Sequence, residues 1–382
     1  MICQSFLYIR RERKSNRSTY LPKTAVIAPH YGWESDTEKH VKSLLNQDYD
    51  GEYHIYFITH EINGDGYDKS YPYLQNLVED KDNADVRLAP NIIDNNLPRS
   101  QKIQNLITVI ETLPKDVEVI AFVDADVEIQ QDWLSLLVTP LQNKEIGVTV
   151  GGRFYSPQNW NFPTFVEAIW VNYQLGLQGD HPFTMVWGGS NAFRRELLNQ
   201  GEILKRWENA TIEDLNTTKA VRDLKLKIHF VPDCIAVTRT QNRTWKQVIE
   251  FTNRQMIMTR HMGLLAQWFG TLIMFFPKGL LIFGSIPFIY WYQSLLPIVF
   301  IPFFEIFVYH LVCKNLPKWL REKPNVNDII RVSKYVAPIS IFLAGINAFY
   351  AIFQRRIVWG GVQYEILSAT TCKVIGRIKK DE

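Results

Sequence analysis

Val117-Glu118-Val119-Ile120-Ala121-Phe122-Val123-Asp124-Ala125-Asp126 is a short apolar run that stops on two carboxylates, and the fold is read outward from it. A near-continuous run of Val, Ile and Phe marks a strand covered on both faces, the signature of a parallel sheet. Thr24 to Ala28 repeats the pattern and ends at Pro29-His30-Tyr31-Gly32-Trp33-Glu34. His54 to Thr59 forms a further strand, leading into Glu61 and a Gly64-Asp65-Gly66 turn. Helices fit Thr37 to Leu45 and Ser100 to Thr112, the latter with apolar residues at Ile103, Leu106, Ile107 and Ile110. Strands alternating with helices predict an α/β, doubly wound sheet whose ligands bind beyond the carboxyl ends of the strands, where Asp124 and Asp126 stand. No Gly-x-Gly-x-x-Gly or Walker-type loop is present, which disfavours a dinucleotide oxidoreductase or a P-loop enzyme.

Two carboxylates at a strand end repel each other in a partly dry site unless a cation offsets them, and hard oxygen donors suit Mg²⁺ or Mn²⁺ completed by phosphate. The alternative for a bare Asp-x-Asp is a surface loop. Val186-Trp187-Gly188-Gly189-Ser190 offers close backbone approach and free N–H groups where a helix follows; the plain reading is a turn before that helix. Thr211-Ile212-Glu213-Asp214 reads either as a helix start, with Thr211 the cap and Asp214 reaching back, or as the place of a general base. Thr244 to Met262 has the spacing of an amphipathic interfacial helix. Trp245, Val248, Ile249, Met256 and Ile257 are available to lipid, and Arg243, Lys246, Arg254 and Arg260 to headgroups or phosphate.

Charge divides the 382-residue chain more sharply than its net +3 suggests. Between Gly263 and Val312 the formally charged residues are Lys278 and Glu305, and the runs Trp268 to Tyr290 and Trp291 to Val312 are each long enough to cross a hydrocarbon core. A third run, Val336 to Phe353, is at the short end of that range. Lys314, Lys318, Arg321, Lys323, Arg331 and Lys334 place the intervening loop, and with it the N-terminal domain, on the cytoplasmic side. Arg355 and Arg356 ask for the same side, so three full crossings conflict with the charge rule unless one run is re-entrant or interfacial. Met1 to Arg10 has too few apolar residues for a span and leads directly into Arg11, Arg13 and Lys14; it does not read as a signal peptide, and the end of an anchor is one reading left open. No basic stripe points to nucleic acid, and the four scattered cysteines form neither a metal set nor a disulfide framework.

The order of several short motifs carries a resemblance. Ala25-Val26-Ile27-Ala28-Pro29, Ser100-Gln101-Lys102-Ile103-Gln104-Asn105-Leu106, Asp124-Ala125-Asp126, Gly188-Gly189-Ser190, Glu213-Asp214, Phe230-Val231-Pro232-Asp233, Phe251-Thr252-Asn253-Arg254-Gln255 and Trp359-Gly360-Gly361-Val362-Gln363-Tyr364 follow one another from about Lys23 to Tyr364. In this the chain resembles family 2-type glycosyltransferases, in particular ceramide glucosyltransferases and their bacterial relatives. The resemblance implies a GT-A-like, mostly parallel doubly wound sheet over 23–242, after a basic segment 1–22. An interfacial helix at 243–262, a transmembrane region at 263–354 and a tail at 355–382 complete the expected organisation. It implies that Asp124 and Asp126 hold the nucleotide diphosphate through Mg²⁺ or Mn²⁺, and that Asp214, beside Glu213, is the catalytic base. Pro29, Glu61, Lys102, Arg254, Gln255 and Arg260 fall at the nucleotide-sugar, and Gly188, Gly189, Ser190 and Trp245 on the acceptor side. The family's Gln-x-x-Arg-Trp pattern is broken: Met258 and Thr259 stand at its Arg and Trp positions, which shifts the expected diphosphate contact to Arg254 or Arg260. Gly360 likewise stands where an arginine often follows the tail tryptophan.

The expectation is inverting transfer of a sugar, glucose from UDP-glucose by the resemblance, to the hydroxyl of a membrane lipid such as ceramide. The enzyme would be a multi-pass membrane protein with its catalytic domain on the cytoplasmic face. Diacylglycerol or a polyprenyl phosphate as acceptor, a polymerising glycan synthase and an inactive membrane scaffold are the competing readings.

Overall fold

A computed structural model describes residues 19–62, 66–284, 307, 310–311 and 316–378. The N-terminal basic segment, most of the Gly64-Asp65-Gly66 turn and nearly all of the run from Trp291 to Val312 lie outside the described residues. The chain divides into two compact units: one takes in the segment up to Arg153, Gln178–Thr238 and the segment from Trp359, the other Phe154–Leu177 and Arg239–Val358.

In chain order the first unit runs β1 (Thr24–Pro29), α1 (Thr37–Leu45), β2 (Tyr53–Ile62), β3 (Gly66–Tyr67), α2 (Ser70–Val78), β4 (Ala84–Ala89), α3 (Gln101–Glu111), β5 (Val119–Val123), α4 (Trp133–Val138) and β6 (Ile146–Val150). Strand β7 (Arg153–Pro157) then leads to α5 (Phe162–Asn172) in the second unit. After it come β8 (Ser190–Arg194), α6 (Leu197–Gln200), α7 (Ile203–Trp207), α8 (Asp214–Asp223), β9 (Lys227–Phe230) and β10 (Ala236–Thr240).

The main sheet has the order β3-β2-β1-β5-β8-β6-β9, with β4 on β2. Strand β1 pairs parallel with β2 and with β5, as the buried apolar runs predict, and β4, which no apolar run marks, also runs parallel to β2. Strand β8 breaks the pattern: it lies antiparallel between β5 and β6, so the sheet is mixed. The two-residue period of the strands fills both layers. Val26, Ala28, Ala121 and Val123 join one core with Phe57 and Trp133, whereas Ala25, Ile27, Ile120 and Phe122 join the other with Ile103, Leu106, Phe193 and Trp207.

The segment expected as a tail forms a meander, β11 (Arg356–Trp359), β12 (Val362–Ser368) and β13 (Thr371–Arg377). Gly360 and Gly361, at φ +57° and +74°, occupy the left-handed region that a tight hairpin demands. Hydrogen bonds from Cys372 N to Asn209 O (2.7 Å) and from Asn216 Nδ2 to Ala369 O (2.8 Å) tie the meander to the unit that carries the sheet.

In the second unit, α9 (Trp245–His261) begins with the capping box of Thr244 and Gln247. Of the residues expected to face lipid, Trp245 and Ile249 are exposed, but Val248, Met256 and Ile257 are buried, so α9 turns most of its apolar face inward. Helices α10 (Leu265–Gly284), α11 (Lys318–Arg321) and α12 (Pro324–Tyr350) follow. Ser340 Oγ donates to Val166 O (3.0 Å) and Asn347 Nδ2 to Asn253 Oδ1 (2.7 Å), locking α12 to α5 and α9. Among the described residues no single helix is long and apolar enough to cross a membrane. Asn325–Ser333 and Tyr335–Tyr350 meet the criterion together, with a 75° bend. Pro338 accounts for the bend, because it removes the hydrogen bond to the carbonyl of Lys334 and its ring clashes there.

Candidate active site

The acidic motif leaves the sheet where β5 meets β8, at the Val123–Ser190 pair. Asp124 N donates to Gly189 O (3.3 Å), so the loop bearing Asp124 and the Gly188-Gly189 turn share one backbone junction. The turn feeds strand β8, not the helix expected from the sequence. Asn191 to Arg194 are buried between β5 and β6, and strand pairing overrides helix formation there.

Helix α3 brings Lys102 to this junction. Ser100 caps it by accepting from Ile103 N (3.3 Å), and Ser100 N is anchored on Ala210 O (3.0 Å). Lys102 Nζ lies 2.7 Å from Asp124 Oδ1 and 2.6 Å from Glu213 Oε1. With side chains 16%, 19% and 3% exposed, the three form a partly dehydrated ion triad. Burial disfavours the Lys102 ammonium, but Asp124 and Glu213 outweigh it and raise its pKa. Burial likewise opposes ionisation of Asp124, and Lys102 with Arg153 more than offsets this, holding the carboxyl below its usual range.

Asp126 points the other way and is half exposed, in an ion pair with Arg153. Arg153 also donates from Nε to Thr238 Oγ1 (2.8 Å) and lies over the Trp187 ring at 5.5 Å. Arg153 and Trp187 are site residues that the sequence reading missed: no local motif marks them, since Trp187 is placed by the pairing of β8 with β5 and Arg153 by β7 with its partner β10.

The two glycines are needed for space. A Cβ on Gly188 would stand 2.0 Å from Glu213 Oε1, and one on Gly189 would stand 2.5 Å from Asp124 Oδ2. The N–H groups expected to be free are engaged: Gly188 N donates to Asp214 Oδ2 (3.4 Å) and Ser190 N to Trp187 O (3.4 Å). Ser190 is fully buried, its hydroxyl donating to Cys234 O (3.0 Å) and accepting from Trp133 Nε1 (2.9 Å).

Glu213 and Asp214 open α8 without the expected capping box: Glu213 holds the cap position, and Asp214 Oδ1 accepts from Leu215 N (2.7 Å) instead of reaching back to Thr211. The Glu213 carbonyl is fixed by Trp207 Nε1 (3.2 Å) and by Thr217 Oγ1 (2.8 Å). Burial, then the neighbouring Glu213, pushes the Asp214 carboxyl up to about 7, with Lys102 pulling against them. A carboxyl that titrates near neutrality is suited to accept a proton.

At the other end of the rim, Pro29 closes β1 opposite Ile58, and Glu61 lies within the last turn of pairing of β2, opposite Tyr67. Asp68 Oδ1 accepts from Gly32 N (2.8 Å) and Ser70 Oγ (2.6 Å), fixing the loop after β1, where Tyr31 stacks on His60. The remaining expected residues, Trp245, Arg254, Gln255 and Arg260, belong to α9 in the second unit. There Arg254 Nη1 donates to Val358 O (3.2 Å), Arg260 donates to Ala351 O and lies over Trp268 at 5.1 Å, and Gln255 O accepts from Thr259 Oγ1 (2.8 Å).

Among the described residues no group of three or more His, Cys, Asp or Glu is arranged to hold a metal. Asp124 and Asp126 stand at one rim but each faces a basic side chain, Lys102 and Arg153, so a hard cation held there would need phosphate and water to complete its shell, the way Mg²⁺ is commonly bound.

The model of glycosyl transferase family 21 matches residues 1–372. The chain belongs to glycosyl transferase family 21. As a family 21 member it is a glycosyltransferase, and its mixed α/β sheet resembles that of GT-A glycosyltransferases. One similar solved structure is the mannosyltransferase PcManGT from Pyrobaculum calidifontis in complex with GDP-Man and Mn²⁺. It is 15% identical over 92% of this chain and 94% of that one, with a TM-score of 0.51, a likeness of fold. GalNAc-T7 with UDP, GalNAc and Mn²⁺ is 14% identical over 68% of this family 21 chain and 51% of its own, with a TM-score of 0.43. No curated protein sequence matches the chain.

Proposed function

We propose that this family 21 enzyme transfers a sugar, glucose from UDP-glucose, to the hydroxyl of a membrane lipid of the ceramide type, with inversion at the anomeric carbon. The observation that carries the reading is Asp214, a partly buried carboxyl titrating near neutral pH at the rim that also bears Asp124. In this reading Asp214 takes the proton of the acceptor hydroxyl while that oxygen attacks the anomeric carbon. The bond to the diphosphate breaks on the opposite face, and its electron pair leaves with the nucleotide. Asp124 and Asp126 would hold Mg²⁺ or Mn²⁺, which when bound offsets charge on the diphosphate. Lys102 bridges Asp124 and Glu213 and sets their spacing. Pro29 and Glu61 line the nucleoside end, and the Gly188-Gly189 turn leaves room on the acceptor side.

A lipid acceptor is supported by the second unit, where α10 exposes Leu265, Phe269 and Ile273 along one face and where Trp160, Phe162 and Trp245 stand exposed. The enzyme is then a multi-pass membrane protein acting on the cytoplasmic side. The test is incubation of the purified chain with a panel of nucleotide sugars, Mn²⁺ and lipid extract, with mass analysis of the lipids. A hexose added to ceramide supports the reading; a hexose on diacylglycerol or polyprenyl phosphate, or soluble glycan, replaces it. An Asp214→Asn protein that binds donor and retains full transfer overturns the mechanism.

A further inference from the structure

Beneath the acidic loop two buried histidines share a small cavity. His30 follows β1 and His40 lies on α1; the rings are 3% and 8% exposed. His30 Nδ1 is 2.9 Å from Ala28 O, and His40 Nδ1 is 3.2 Å from Ala125 O, the residue between Asp124 and Asp126. A carbonyl only accepts, so each Nδ1 carries the proton and each Nε2 presents a bare lone pair. Both Nε2 atoms are buried without a protein partner. The two histidines line, with Phe57, Val123 and Asp124, one small pocket of about 10 Å³. Burial pushes His30 down to about 4 and lowers His40, so both rings stay neutral at physiological pH.

Two lone pairs in a wall otherwise largely apolar need a donor. A cavity of this size holds one water, and a water has two protons to give. Asp124 lines the same wall but turns Oδ1 to Lys102 (2.7 Å), and among the described residues no three His, Cys, Asp or Glu are placed to hold a cation. We propose that His30 and His40 clamp one buried water through their Nε2 atoms, and that His40, held by this clamp, is a positioning residue that fixes the Ala125 carbonyl and with it the spacing of Asp124 and Asp126. Asp124 is then steered from Lys102, Ala125 from His40 and Asp126 from Arg153, one residue of the motif from each of three elements. The consequence for cation binding rests on the proposed role of Asp124 and Asp126; the water clamp does not.

The full chain labelled with ¹⁵N-histidine gives the tautomers directly, with His30→Gln and His40→Gln assigning the signals. Both rings are expected as Nδ1–H, each Nε2 shifted as a hydrogen-bond acceptor and showing cross-relaxation to a long-lived water. An Nε2–H tautomer at either ring, or a dry cavity, overturns the clamp. Mn²⁺ affinity, measured on the purified chain with Mn²⁺ alone, tests the positioning. His40→Phe is expected to weaken it about tenfold, the size common for residues that orient metal ligands. His40→Asn, whose amide nitrogen replaces Nδ1, should restore most of it. Equal affinity for His40→Phe and the native chain, or equal loss in both variants, overturns the positioning role. Absence of Mn²⁺ binding in the native chain counts against the proposed function and leaves the tautomers to decide the clamp.

Discussion

Lys102 Nζ stands 2.6 Å from Glu213 Oε1, joining the start of α3 to the residue before α8 at the point where Asp124 leaves the sheet. One buried ammonium thereby balances two carboxylates and acts on a third, Asp214, through space.

Replacement of Lys102 by Met removes the ammonium between Asp124 and Glu213 and leaves Arg153 to offset Asp124 alone. Loss of one partner from a buried pair costs about 3 kcal/mol or more, so chemical denaturation of Lys102→Met should report a stability loss of that order. Because Lys102 pulls the Asp214 pKa down, the acid limb of kcat should move to higher pH, by about one unit. An unmoved limb would disconnect Lys102 from Asp214.

The Asp214 carboxyl must be ionised to accept a proton. With its pKa near 7, kcat for transfer should fall about tenfold per pH unit below neutrality and level off above it. Asp214→Asn should lower kcat by about 10²- to 10⁴-fold with donor affinity retained. A pH profile with the acid limb at ordinary carboxylate values would mean that another group takes the proton.

Gly188→Ala adds a methyl that cannot be placed without moving the Glu213 carboxylate, 2.0 Å from its Cβ position. Displacement of about 1 Å at a reacting site costs about 10² in rate, so the variant should fold and yet lose activity on that scale. Near-native kcat would show that the Glu213 side chain is dispensable.

Asp124→Asn and Asp126→Asn separate the two carboxylates. Chelation with EDTA should abolish transfer and Mn²⁺ restore it. Asp124→Asn should bind Mn²⁺ and donor most weakly, since its carboxylate is the more enclosed. Titration of Mn²⁺ against each variant by paramagnetic resonance measures the ranking, and reversal of the order would make Asp126 the principal ligand.

Much of the sheet was legible because its parallel strands are buried on both faces and therefore read as plain apolar runs. The helix over Thr37–Leu45 and the α3 spacing of Ile103, Leu106, Ile107 and Ile110 appear as expected. Strand β8 was not legible, since Ser190-Asn191-Ala192-Phe193-Arg194 is polar enough to pass for a helix start and becomes a strand only between two partners. The meander at Val362–Ser368 and Thr371–Arg377 was missed because a short hairpin is stable only on a surface that the sequence does not display. In the site, Asp124, Glu213 and Asp214 could be found from chemistry tied to chain order. Lys102 could be placed only by the resemblance, and Arg153 by neither, because charge partners distant in sequence leave no local pattern.

The reversed strand β8 gives the molecule a seam. Its first residue, Ser190, is stitched to Val123, while the irregular chain before it is held at Val186, whose N donates to Thr218 Oγ1 (2.9 Å), and at Thr184, whose carbonyl accepts from Arg222 Nη2 (3.2 Å). Length changes at its exposed tip, Asp180 to Phe183, can alter the surface there without disturbing the stitch. A single residue gained or lost after Gly189 would slip the register, turning Asn191 and Phe193 to the opposite faces and pulling Asp124 from Lys102. Variation in this enzyme should therefore accumulate on one side of the Gly188-Gly189 pair and be rejected on the other.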